Sequence, residues 1–443
     1  MAVGGRSLAQ MGGAARQEQQ SYRVAISGYY GVRNSGDEAV LKSILLALET
    51  EAKAQGVQIE PIVLSQDPAW TTKMYGVQAV HRMRPAELIK ALRGCDGLIS
   101  GGGSLLQDAT GTKTIPYYTG VIKLAQWLGK PTFVYAQGIG PVNRRWMDPM
   151  IRSAIRKSAY VSVRDPESAA LLGRIGVPTE RIEVVPDPVM GLPLPRGAAA
   201  AAKRAGASAD EAGRVPVVGV SLRNWRKDSA DLERAAAALA ALARSRAVRL
   251  RFLDFHTPDD TEASAYVMRR LAALGDGGHG SNAPAGAGGH GPSDAREQAG
   301  ASVAAAQWQQ LGAQQQAGLH PGSTAERAEP GEDPQLMLQE VSRCDMLLGM
   351  RLHALIYAAN VEVPMLGLSY DPKIDQFLGQ LGLLPVGTTE YLDEQSFVKA
   401  ASSLLDEPDQ WRDRHRILIA DLKQRAQLPA KQIIGLLRQK RKG

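Results

Sequence analysis

The sequence predicts an α/β protein built from two parallel-sheet domains, and three observations carry that reading. Its 443 residues exceed one ordinary domain of roughly 100 to 200 residues. From Tyr22 onward, short Val- and Ile-rich runs alternate with helical patterns, the βαβ signature of layered parallel sheets. The alternation stops in a stretch rich in Pro, Gly, Ala and Lys and then starts again.

The elements follow in order. Residues 1–20, rich in Gly, Ala and Gln and without the apolar core of a secretory signal, read as a disordered extension. Residues 22–28 read as a strand, 29–35 as a loop and 36–49 as a helix with Val40, Ile44 and Leu48 on one face. Ser35 and Glu38 have capping-box spacing, which would fix the start of that helix. Strand patterns at 58–65, 97–100, 132–137, 160–164 and 182–185 complete a first domain of residues 21–190, and residues 191–213 form the linker. Strands resume at 215–222, 248–255, 346–348 and 364–368, with a helix at 232–243, giving a second domain of residues 214–400. Inside it, residues 275–333 hold too few bulky apolar side chains to offset the entropy of ordering, so a disordered insertion is expected there. Residues 401–443 read as helices ending in the basic run Arg438-Gln-Lys-Arg-Lys-Gly, either a solvated helix end or a peripheral contact for a membrane surface.

Composition narrows the function. The chain has two cysteines, Cys95 and Cys344, far apart and without metal-ligand spacing, which argues against a disulfide scaffold or structural zinc and for buried thiols in a reducing compartment. No run reaches the ~18 to 20 apolar residues of a membrane span, so a cytoplasmic location is expected. The net charge of +7 is spread along the chain, which fits an anionic ligand or membrane surface better than nucleic acid. His279, His290 and His320 fall in the expected insertion at irregular spacing, and no metal site is expected from them.

In open parallel sheets, ligands sit beyond the carboxyl ends of the strands, where helix N-termini point into the crevice. Those positions here read Gly28-Tyr-Tyr-Gly, Ser100-Gly-Gly-Gly-Ser, Gln137-Gly-Ile-Gly-Pro, Arg164-Asp-Pro, Pro186-Asp-Pro, Ser221-Leu-Arg-Asn-Trp, Asp254-Phe-His, Gly349-Met-Arg-Leu-His and Ser369-Tyr-Asp-Pro-Lys. Glycines and cations dominate. Gly101, Gly102 and Gly103 can bring backbone N–H groups close to a ligand oxygen, or they can serve a tight turn that needs glycine for geometry alone. Asp37 sits in a helix first turn, where the dipole favours a carboxylate whatever its role. Arg164 is aimed at the mouth of the sheet, with a salt bridge to Asp165 as the plain alternative. Arg351, His353 and Lys373 cluster at strand ends of the second domain as an anion site, and Arg223 and His256 hold similar positions in neighbouring units.

At these residues the chain resembles the polysaccharide pyruvyl transferase family, and closely its CsaB-type branch, which modifies a cell-wall polymer that anchors surface-layer proteins. The resemblance rests on GYYGVRNSGDE at 28–38, SGGGSLLQD at 100–108, QGIGP at 137–141, VRD at 163–165, GMRLH at 349–353 and SYDPKID at 369–375. It implies a GT-B-like fold of two Rossmann-like domains facing across a cleft, with a C-terminal helix crossing back to the first. It implies transfer of the pyruvyl unit of phosphoenolpyruvate to two hydroxyls of a lipid-linked β-N-acetylmannosaminyl unit, forming a cyclic ketal and releasing phosphate, with no cofactor and no metal. Arg164, His353 and Lys373 are then implied in donor binding with Arg351 beside them. Arg223 is a further candidate for the donor, His353 is the natural acid, and Asp37, with Asn34 nearby, is the candidate for the acceptor hydroxyl. The alternatives are a GT-B glycosyltransferase or epimerase using a nucleotide sugar, and a non-catalytic ligand-binding relative.

Overall fold

The computed structural model describes residues 20–109, 111–195, 197, 213–275 and 319–440. The first sheet contains β1 (Ser21–Tyr30), β2 (Gln58–Ser65), β3 (Gln78–His81), β4 (Gly97–Ser100), β5 (Gly103–Leu106), β6 (Thr132–Ile139), β7 (Tyr160–Val163) and β8 (Ile182–Val184). They run parallel in the order β3-β2-β1-β4-β6-β7-β8, with β5 added on β6. The second sheet is formed by β9 (Val217–Ser221), β10 (Arg249–Phe252), β11 (Thr324–Arg327), β12 (Met346–Gly349), β13 (Met365–Ser369) and β14 (Gly387–Thr388), parallel in the order β11-β10-β9-β12-β13-β14. Helices cover the faces of both sheets. That explains why central strands such as β4, β6, β9 and β12 are buried along their length and read as unbroken apolar runs.

Several expectations are corrected. Asn34, not Ser35, caps the first helix, Ser35–Ala54: its side-chain oxygen accepts from Gly36 N at 3.0 Å and Asp37 N at 3.4 Å. Glu38 serves the preceding loop instead of a capping box, accepting from Gly31 N at 2.8 Å. β1 runs on to Tyr30, so Tyr29 and Tyr30 belong to the strand. The expected linker begins with packed chain, since Leu192 is buried and Pro193 O accepts from Gln335 Nε2 at 2.8 Å. The last fifteen residues of the expected insertion are part of the fold, because β11 pairs with β10 at the sheet edge. Thr324 and Glu326 are exposed there and Ala325 and Arg327 only partly covered, so no bulky apolar residue is needed to hold it. Residues 1–19, 198–212, 276–318 and 441–443 lie outside the described residues, and His279 and His290 with them.

The two units share one core. Asn360 Nδ2 donates to Val189 O at 2.9 Å and Leu192 O at 2.8 Å, and Ser35 N donates to Phe255 O at 3.0 Å. The C-terminal helix Leu428–Lys440 packs on the first helix, where Arg438 Nη1 donates to Gln55 Oε1 at 3.1 Å. Lys440 donates to Gly129 O at 3.0 Å, so two cations of the basic tail are held by the first unit. Both cysteines are buried free thiols. Among the described residues no helix is long and apolar enough to cross a membrane.

The glycines after β4 have a packing role. A Cβ on Gly101 would lie 2.1 Å from the Tyr30 hydroxyl, and one on Gly102 would lie 2.9 Å from Val40 Cγ1. Tyr30 is wholly buried and its hydroxyl has no hydrogen-bond partner among the described residues. Gly101→Ala should therefore cost about 1–3 kcal/mol in urea unfolding, and Tyr30→Phe, harmless alone, should recover part of that loss by removing the clashing oxygen. Equal destabilisation in the single and double variants would show that the clash lies elsewhere.

Candidate active site

Parallel topology puts the carboxyl ends of each sheet's strands on one side, and the two sets of ends face one cleft of about 1070 Å³. Asn34, Asp37, Gly103, Arg164, Arg223, Arg351, His353 and Lys373 all line it. Gly101 and Gly102 do not: they are turned into the packing of Tyr30 and Val40, and Gly103 already belongs to β5. Gly103 has φ +87°, and a Cβ there would lie 3.2 Å from Asp37 Oδ1, so its lack of a side chain leaves room beside that carboxylate.

Arg164 follows β7 and is 7% exposed. Its Nη1 donates to Asp187 Oδ2 at 3.0 Å and its Nη2 to Ser104 Oγ at 2.8 Å, with Asp165 Oδ2 3.7 Å from Nε. The main ion-pair partner is thus Asp187 rather than Asp165. Asp187 is buried and caps the short helix Pro188–Gly191, accepting from Val189 N at 3.1 Å. In the sequence Asp187 stands at a strand end between two prolines, and that local pattern gives no hint of a partner 23 residues away.

His353 enters from the second domain, in the first turn of the helix Leu352–Asn360. Its Nε2 lies 4.0 Å from Asp187 Oδ2, beyond hydrogen-bond reach, and is buried with no hydrogen-bond partner among the described residues. The other side of the ring abuts the first domain, for a Cβ on Gly36 would lie 2.2 Å from Nδ1. Burial lowers the His353 pKa to about 4. Asp187 pulls it up, and Arg164 and Arg351 push it further down. Without a ligand the imidazole is therefore neutral at pH 7.

Lys373 stands at the start of the helix Pro372–Gln380 and shares a recess with Arg164, Asp165 and Asp187. Burial and then the Arg164 charge lower its pKa. Among the described residues it forms no ion pair within 4.0 Å. Arg351 differs from its expected role, because its Nε donates to both oxygens of Asp260 at 3.0 Å and its Nη2 to Oδ1. Asp260 also accepts from Phe255 N and His256 N, each at 3.0 Å. Arg351 thereby holds the turn after β10, and the fork once expected for an anion is largely occupied. Arg223 lies 5.2 Å over the Trp225 ring and 5.6 Å over that of Tyr370. His256 lines the cleft, with Nδ1 3.4 Å from Asp259 Oδ2. Arg82, unremarked in the sequence, stacks on Tyr29, Tyr117 and Tyr118 and gives the first-domain wall a cationic and aromatic character.

Asp37 is half-buried on that wall. Burial, reinforced by Glu38, raises its pKa from 3.8 to about 7, against the opposing pull of Arg164 and Arg82. Between those values the native state holds more protons at this site than the unfolded chain does, so its contribution to stability falls as pH rises from about 4 to 7. Asp37→Asn should remove that slope. The expected result is a variant more stable than the wild type at pH 8, with little difference at pH 4, read as melting temperature against pH. A slope unchanged by the substitution would mean Asp37 titrates normally. Among the described residues no group of three His, Cys, Asp or Glu side chains could hold a metal ion.

Solved structures of other proteins share this two-domain fold at low identity. The UDP-GlcNAc 2-epimerase of Neisseria meningitidis bound to UDP-GlcNAc matches with a TM-score of 0.53 at 10% identity, over 94% of this chain and 100% of that one. The UDP-GlcNAc 2-epimerase of Methanocaldococcus jannaschii gives 0.56 at 11%, over 95% and 99%. A glycosyltransferase from Rickettsia africae gives 0.56 at 9%, over 95% and 98%. These likenesses identify the fold as GT-B. No curated protein sequence matches the chain. The family model described as polysaccharide pyruvyl transferase matches residues 34–372, about three quarters of the sequence and most of both walls of the cleft, ending one residue before Lys373. On that match, the chain belongs to the polysaccharide pyruvyl transferase family.

Proposed function

We propose that this transferase takes the pyruvyl unit of phosphoenolpyruvate and bridges two hydroxyls of a lipid-linked N-acetylmannosamine-type sugar, releasing phosphate, as CsaB-type enzymes do in secondary cell-wall polymer synthesis at the inner face of the membrane. The observation that carries the donor is the recess of Arg164 and Lys373. There a half-buried lysine, which forms no ion pair among the described residues, stands near a helix, Leu352–Asn360, that starts without a side-chain cap. A carboxylate and a phosphate together need several fixed charges and free amides, and this corner supplies both. Arg351 acts indirectly, through Asp260, on the turn that carries His256.

The chemistry follows from the donor. Its methylene carbon must gain a proton while positive charge develops at the carbon bearing the phosphate. His353 supplies that proton once the donor's negative charges have raised its pKa. One sugar hydroxyl then attacks the cationic carbon and gives its proton to Asp37, whose pKa of about 7 suits a base at neutral pH. The C–O bond to phosphate breaks, the phosphate carries away that electron pair and takes up the proton held by Asp37, and the second hydroxyl closes the ketal ring while returning a proton to His353.

The test is incubation with phosphoenolpyruvate and a mannosaminyl acceptor, following phosphate by colour assay and the acceptor by mass spectrometry. The expected result is one phosphate released per pyruvyl unit gained, lost in His353→Asn. Phosphate release without an altered acceptor would leave a hydrolase. A pH profile unchanged in His353→Asn would remove the histidine from the mechanism.

A further inference from the structure

Inside the cleft, the second domain leaves a pair of aromatic rings uncovered. Trp225 is 49% exposed, and its ring centroid lies 4.7 Å from that of Tyr370, tilted by 42°. Arg223 sits over both rings, and its Nη1 lies 3.4 Å from the Tyr370 hydroxyl. Among the described residues Arg223 pairs with no carboxylate, so stacking holds its plane while leaving donor N–H groups for a ligand.

An indole open to water forgoes the transfer free energy of burial. Here the backbone that carries it is fixed. Asp231, wholly buried in the helix Ala230–Ser245, accepts from Trp225 N at 3.0 Å and Arg226 N at 3.3 Å through one oxygen. Those bonds pin the turn from the backbone. The same indole forms one wall of an adjoining hollow of about 350 Å³ that also includes Lys227 and Arg226, the latter paired with Asp228 and Glu390, so a ligand lying across the indole has room to continue.

A rigid aromatic face beside an unpaired guanidinium matches a ligand with an apolar ring face and an anionic substituent. We propose that Trp225, Tyr370 and Arg223 form the acceptor subsite, taking a pyranose that carries a phosphoryl group, with its C–H face on Trp225 and its phosphoryl oxygens on Arg223. The sugar part of this proposal rests on the function proposed above. It assigns Arg223 to the acceptor instead of the donor, and leaves the donor to Lys373 and Arg164.

Calorimetric titration of the full chain tests it, with N-acetylmannosamine 1-phosphate, N-acetylmannosamine, inorganic phosphate and UMP as probes. The expected result is binding of the sugar phosphate, weakened at least about tenfold in Trp225→Ala and in Arg223→Gln and largely kept in Trp225→Phe. The free sugar and phosphate alone should bind far more weakly. Wild-type protein that fails to bind the sugar phosphate, or Trp225→Ala that binds it normally, would overturn the subsite. UMP binding more tightly through Trp225 than the sugar phosphate would overturn it in favour of base stacking. Thermal stabilisation by phosphoenolpyruvate is measured alongside and should persist in Trp225→Ala. Its absence in the wild type, with sugar phosphate binding intact, would overturn the donor reading and leave this subsite standing.

Discussion

Lys373→Met should reduce pyruvyl transfer by at least about a hundredfold while leaving the fold intact or slightly more stable. The contrast follows from the side chain's position. It is partly buried, its pKa is lowered by burial and by Arg164, and no described carboxylate pairs with it. A cation kept in that state destabilises the empty protein, so a neutral side chain of similar length relieves a cost. The ligand loses a charge-assisted hydrogen bond worth about 1.5–3 kcal/mol, with a further loss as charge changes in the transition state. The readout is kcat/KM for phosphoenolpyruvate together with the melting temperature. A variant of normal activity would show that Lys373 is a surface cation held by chance near Arg164.

Asp187→Asn should lower both stability and activity. Asp187 anchors Arg164 Nη1 at 3.0 Å, caps the helix Pro188–Gly191 and is the charge that draws the His353 pKa upward. The amide can still accept one hydrogen bond, and Asp165 remains 3.7 Å from Arg164, so the expected loss of stability is about 1–3 kcal/mol instead of that for a fully orphaned buried charge. An Arg164 side chain that shifts by an ångström misplaces the donor, and about a hundredfold loss of activity follows from that alone. Stability lost with normal turnover would make Asp187 a purely structural partner.

These two residues show what the sequence makes legible. The βαβ alternation and the cations at strand ends are local patterns, so both sheets and the cleft residues Asp37, Arg164, His353 and Lys373 could be picked from residue order. Pairing across the fold is not local. Arg351 looks like a free cation in Gly349-Met-Arg-Leu-His, yet its guanidinium meets Asp260, 91 residues earlier. Asp187 looks like a turn residue until the fold brings Arg164 and His353 to it. The glycines at 101 and 102 look like a phosphate loop, and the reason they are glycine is the ring of Tyr30 and the side chain of Val40. β11 escaped notice because a four-residue edge strand carries no apolar periodicity.

The measurement closest to the central claim is thermal stabilisation by phosphoenolpyruvate against a panel of UDP-sugars, on the wild type and on Lys373→Met. Arg164→Ala is a weaker choice of variant, because it would orphan buried Asp187 and confuse binding with folding. Ligand that binds the native state at a hundred times its dissociation constant adds about 2.7 kcal/mol, a shift of several degrees. The account predicts that shift with phosphoenolpyruvate, little with UDP-sugars, and its loss in Lys373→Met. Stabilisation by a UDP-sugar and none by phosphoenolpyruvate would contradict it, and would make the cleft a nucleotide-sugar site.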